Sequence, residues 1–155
     1  MTVYSEQELR AANVNPDTGL ATDYLNLFNE AIMLFEMGLD MPDMAEELTD
    51  WRRRGYVEHF ENSGFEQKDV VIAAYLSAPE QRRVPFDEAC EKALDEFESG
   101  IHILLSSNIE DPSAREDLDY RLDSMKARVI EMDAHIHGRS GRVESDLQDA
   151  VDALF

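Results

Sequence analysis

Leu118, Leu122, Met125, Val129, Met132 and Ile136 follow one another at spacings of four and three. A strand repeats every two residues, so this spacing puts all six on one face of a helix. The pattern is a heptad-like seam, and a face that apolar has to be covered by other helices. The same period runs through most of the chain. Over 22–37, Leu25, Phe28, Ile32 and Phe35 form one stripe, with Tyr24, Leu27, Ala31 and Leu34 beside it. So wide an apolar arc predicts a central, well-buried helix. Thr22 or Asp17 suits its start and Gly38 its end.

The remaining helices follow from stripes and breakers. Pro42 predicts a short helix to about residue 51, since proline favours the first helical position. Further helices are expected to about residue 62, closed by Gly64, and over 66–77, with Val70, Val71, Ala73, Ala74 and Leu76. Pro79 and Pro85 predict a break, after which a helix over 85–107 carries Phe86, Cys90, Ala93, Leu94, Phe97, Ile101, Leu104 and Leu105. Ser113 and Glu116 have capping-box spacing at the start of the heptad helix. Gly138-Arg139-Ser140-Gly141 reads as a hinge before a last amphipathic helix over 143–154, with Val143, Leu147, Val151 and Leu154 on one face. Residues 1–17 are expected to be irregular or weakly helical, with a turn cluster at Asn13, Asn15, Pro16 and Asp17.

No segment alternates like a strand. The expectation is an all-α, single-domain bundle of about six helices, with a C-terminal heptad-like helix and a hinged terminal amphipathic helix. Residues 1–108 form the helical core. Residues 109–155 form a helical hairpin, packed on that core or semi-detached.

Charge narrows function more than any motif does. Thirty-four acids face 14 bases, a net charge of −20 in 155 residues. Such a field repels phosphate backbones and anionic bilayers, so neither nucleic acid nor membrane is an expected partner. It favours basic protein surfaces, cationic ligands and metal ions. Solubility or adaptation to salt would also account for it, and lysine is scarce: Lys68, Lys92 and Lys126. No stretch has the roughly 20 apolar residues of a membrane helix, and no signal sequence is visible in 1–10, so a cytoplasmic location is expected.

The acids are spread along the chain, with one sharp junction of acidic and basic blocks. Between residues 36 and 50 stand Glu36, Asp40, Asp43, Glu46, Glu47 and Asp50 without a base, and then comes Arg52-Arg53-Arg54. Trp51, the three arginines and Tyr56 are residue types enriched in interfaces, and Met33 and Met37 could line an adaptable groove. With the seam residues Leu118, Leu122, Met125, Val129 and Met132, these are the candidate partner-binding positions. The competing account makes Trp51 core and pairs the arginines with the preceding acids.

Catalytic and metal motifs find little support. The single cysteine, Cys90, lies on an apolar stripe among Asp87, Glu88 and Glu91, which suits a small buried hydrophobe better than a reactive thiol. There is no Glu-x-x-His, as a di-metal bundle requires, and no phosphate loop or nucleophile elbow. Asn13, Asn15 and Asp17 begin like a calcium loop, but the twelfth position is Tyr24, not glutamate. Glu30 is expected at an edge facing solvent, and His135 and His137 at a solvated helix end. No cofactor is implied. The leading expectation is a non-catalytic interaction or regulatory protein, binding a basic or amphipathic protein segment or self-associating through the seam. The alternatives are a metal-binding carboxylate/histidine bundle and a helical small-molecule sensor or enzyme.

Overall fold

A computed structural model describes residues 4–139. The expected hinged helix over 143–154 lies outside the described residues. Within them are seven α-helices and no strand. They are α1 (Glu6–Ala11), α2 (Asn26–Gly38), α3 (Pro42–Glu46), α4 (Tyr56–Glu61), α5 (Lys68–Leu76), α6 (Glu80–Ser106) and α7 (Pro112–Ile136). A 3₁₀ turn, Thr22–Leu25, leads into α2, and another, Glu47–Asp50, follows α3.

The two long helices, α6 and α7, pack along each other, and α2 lies against both. The stripes read from sequence meet at this junction. Phe28, Phe35, Phe86, Phe97, Leu118, Met125 and Met132 are all buried there. One apolar cluster runs from Ala12 to Ile136 and draws on α2, α3, α4, α5, α6 and α7. Its aromatic members meet edge to face: Phe28 and Phe97 at 5.0 Å between centroids, Tyr24 and Phe28 at 5.2 Å, Tyr24 and Tyr56 at 5.3 Å. Each such pair adds roughly 0.5–1.5 kcal/mol beyond its buried area.

Two local expectations need correction and a third, the weakly helical N-terminal stretch, is made specific. The break between Pro79 and Pro85 does not occur. Pro79 is the N-cap of α6, and Pro85 lies inside the helix. Proline withholds one N–H from the ladder, leaving the Gln81 carbonyl without its usual donor. The helix continues because Phe86, Ala89 and Cys90 bury themselves immediately afterwards. Residues 6–11 form α1, opened by a capping box in which Ser5 Oγ accepts the Glu8 N–H at 3.1 Å and Glu8 Oε1 accepts the Ser5 N–H at 3.1 Å. The Ser113–Glu116 box, by contrast, is not formed. Pro112 takes the first position of α7 with Asp111 as N-cap, so Ser113 is already inside the helix.

Two close approaches fix the packing. Gly100 on α6 lets Met125 of α7 come near: a methyl there would stand 3.3 Å from Met125 Sδ. Gly38 ends α2 where α3 crosses it, and a methyl would stand 2.8 Å from Ala45 Cβ and 2.9 Å from its Cα. Gly38→Ala should therefore destabilise the protein. Helix propensity favours alanine by at most about 1 kcal/mol. Overpacking against backbone costs about 1–3 kcal/mol. A net loss of about 1–2 kcal/mol is expected in urea unfolding; a gain would show that α3 yields freely.

Candidate functional site

The residues singled out by sequence are used mainly to hold the fold. Trp51 is half-buried, its indole N–H donating to the Leu27 carbonyl at 3.0 Å and its ring stacked on Phe97 at 6.2 Å. Tyr56 is buried, and its hydroxyl oxygen accepts the Ala21 N–H at 2.9 Å. Arg53 spans three carboxylates on successive turns of α6: Asp95 at 2.8 Å, Glu91 at 3.0 Å and Glu98 at 3.3 Å. It thus pairs with a distant helix and not with the acids that precede it. The chain leaves helical geometry here, with Trp51 and Gly55 both extended, and this carries Arg53 to α6. Arg52 is exposed and donates to the carbonyls of Thr49 and Trp51. Arg54 is exposed, while its carbonyl accepts the Tyr24 hydroxyl at 2.6 Å.

The seam is spent inside the molecule. Leu118, Leu122, Met125, Val129 and Met132 are all buried, against the faces of α6 and α2. Met33 is exposed and Met37 half-buried on the outer side of α2. Glu30 faces solvent.

Cys90 is buried, and desolvation, with Asp87, Glu91 and Glu131 adding to it, pushes its thiol well up. It is held as a neutral thiol. Burial likewise pushes up Tyr24, Tyr56 and Tyr75, the last donating to Asp87 Oδ1 at 2.7 Å. Among the described residues no group of three or more His, Cys, Asp and Glu is placed to hold a metal ion. Asp133 accepts from Arg139 at 3.1 Å and lies 3.3 Å from His137 Nδ1.

Two histidines are tuned downward. Burial lowers His59, with Arg54 adding to it and Asp23 opposing; its Nδ1 is buried without a partner. Burial lowers His135, with Glu131 opposing. Both stay neutral in the folded chain at pH values where the unfolded chain takes up protons. Stability is then fully present above the ordinary histidine value, about 6.5, and is lost as pH falls through the window below it. Urea midpoints at pH 7.5 and 5.5 should show a shallower pH dependence in H59Q/H135Q than in wild type. Parallel profiles would overturn this.

A cleft sequence reasoning did not find lies where α2 and α6 both end. Its volume is about 270 Å³. Gly38, Pro42, Ala45, Leu104, Leu105 and Ile109 form its apolar wall. Glu46, Glu110, Ser107 and Asn108 form its lip. Neither α2 nor α6 has a basic residue in its last turn. The negative end of α2 is met by Arg115 of α7, which donates to the Leu39 carbonyl at 3.0 Å and pairs with Asp40 at 3.1 Å. The end of α6 lacks a basic residue of its own, and both chain segments here are acidic: 36–50, and Glu110-Asp111. The only trace of this in the sequence is the run of acids without a base.

A smaller cleft of about 140 Å³ lies beside Tyr120 and Ser124 on α7. Its polar groups are already matched: Ser124 donates to Glu96 at 2.8 Å, and Arg121 to Asp117 at 2.9 Å. It offers little unused recognition chemistry.

Compared with known proteins, the chain matches no family model, no curated protein and no solved structure. No helix among the described residues is long and apolar enough to cross a membrane.

Proposed function

We propose that this chain is a non-catalytic, acidic helical interaction protein that binds a basic or amphipathic segment of a protein partner. One observation carries this reading: the cleft at the ends of α2 and α6 joins an apolar wall to a carboxylate lip. Its volume of about 270 Å³ is room enough for a long side chain. The net charge of −20 would steer a basic partner toward the surface at long range.

The cleft proposed here is not the set of positions expected from sequence. Tyr56 and the seam residues are buried, so their part is to build the scaffold. Met33, Arg52 and Arg54 stay accessible, but they do not line the cleft.

The test is a titration of the full chain with a fluorescent amphipathic peptide containing lysine and leucine, against the same peptide with glutamate for lysine. Binding of the lysine peptide alone is expected, weakening as salt screens the attraction. Failure of the lysine peptide to bind at low salt would overturn the reading.

A further inference from the structure

Resting on that reading, we infer that the cleft takes one long cationic side chain, a lysine or arginine of the partner, with its methylenes on the wall and its charge at the lip. The donor and acceptor inventory at the lip points this way. Ser107, at the end of α6, turns its hydroxyl back to the Ile103 carbonyl, and Ser106 does the same to His102 at 2.8 Å. The Glu110 N–H donates to Asn108 Oδ1 at 3.1 Å. Pro42 has no N–H to give. The hydroxyl donors are thus spent within the chain, and the donors left at the lip are Asn108 Nδ2 and the backbone N–H groups of Asn108 and Ile109. The carboxylates of Glu46 and Glu110 take no part in these bonds, and the end of α6 adds the partial negative charge of its last carbonyls. A lip whose charged groups are both carboxylates selects a cation.

The wall then selects for shape. Leu104, Leu105, Ala45 and Ile109 offer no polar partner, so a small hydrated ion would lose solvation there without return. An alkyl stem three or four carbons long covers such a wall while its head stays wet. Net charge disfavours the two occupants nearest to hand. Residues 140–155 carry Arg142 against Glu144, Asp146, Asp149 and Asp152, and a second copy brings its own −20.

The experiment follows the methyl resonances of Leu104, Leu105 and Ile109 in the full chain during titration with n-butylammonium, n-butylguanidinium and neutral n-pentanol. Saturable shifts with the two cations and none with the alcohol are expected; the stronger cation tells lysine from arginine. In E46Q/E110Q the affinity for the lysine peptide should fall about tenfold. E61Q/E66Q, two exposed carboxylates outside the cleft, removes the same charge and should leave it nearly unchanged. Equal weakening by both pairs, or peptide binding without methyl shifts, would overturn the inference while leaving the interaction reading intact. If no basic peptide binds, the reading itself fails. Shifts produced by raising protein concentration alone would assign the cleft to a second copy and also overturn the inference. All four substitutions are at exposed positions, and unchanged circular dichroism would verify that the variants fold.

Discussion

Phe97→Ala is expected to lower the unfolding free energy by about 3–5 kcal/mol, a large share of the roughly 5–15 kcal/mol that a single domain has. Phe97 is fully buried midway along α6. It meets Phe28 edge-on at 5.0 Å and Trp51 in a stack at 6.2 Å. The size of the loss depends on whether neighbours can fill the space. Trp51 is tethered by its indole N–H to the Leu27 carbonyl, and Phe28 is fixed on α2, so neither can follow. The cavity stays open and the upper half of the range applies. Trp51 is the sole tryptophan, and its fluorescence reports urea unfolding directly. A lower midpoint with an unchanged slope is expected. A loss under about 2 kcal/mol would mean that the site collapses around the deletion.

Periodicity made the long helices legible. The stripes of α2, α6 and α7 are wide and regular, and each buries the face that its spacing names, except Leu105 at the end of α6, which is exposed. What periodicity does not show is what covers a face. The seam from Leu118 to Ile136 fits a partner helix in another chain as well as one in its own, because a heptad records only that something packs there. In this fold α6 and α2 cover it. Local signals failed where packing or a stronger local signal outweighed them. Pro85 read as a break, but Phe86 and Cys90 gain more from burial than the helix loses from one missing bond. Ser5–Glu8 and Ser113–Glu116 share one spacing, and only the first forms a box, because Pro112 moves the start of α7.

The polar contacts were less legible, since they join distant segments. Arg53 looked fit to pair with its acidic neighbours. Its partners are 38 to 45 residues away, on α6. The cleft is a sharper case. It forms where 38–46 meets 104–110, and each half is ordinary alone. The acids of 36–50 signalled a negative surface, but not that Leu104, Leu105 and Ile109 would line a cleft with one of them.

Met125→Glu puts the two uses of the seam against each other. Met125 is 1% exposed, and its sulfur sits at the close approach of α7 to Gly100 on α6. A carboxylate there is buried without a positive partner, which costs on the order of 4 kcal/mol or more. At pH 7 the variant should be largely unfolded. Burial would also raise the pKa of the new carboxyl, and the neutral form is less costly to bury. Its folded pKa then lies above its unfolded value, so the deficit relative to wild type should narrow as pH falls toward the ordinary glutamate range, about 4.3. Met125→Leu is the control: it nearly conserves volume and should cost less than about 1.5 kcal/mol. Circular dichroism, urea unfolding and light scattering on the three proteins decide the matter. A Met125→Glu protein as helical and stable as wild type, differing only in its mass in solution, would place the seam between chains. Loss of helix at pH 7 with partial recovery at lower pH would place it within one chain, where Gly100 and Met125 bring α6 and α7 into contact.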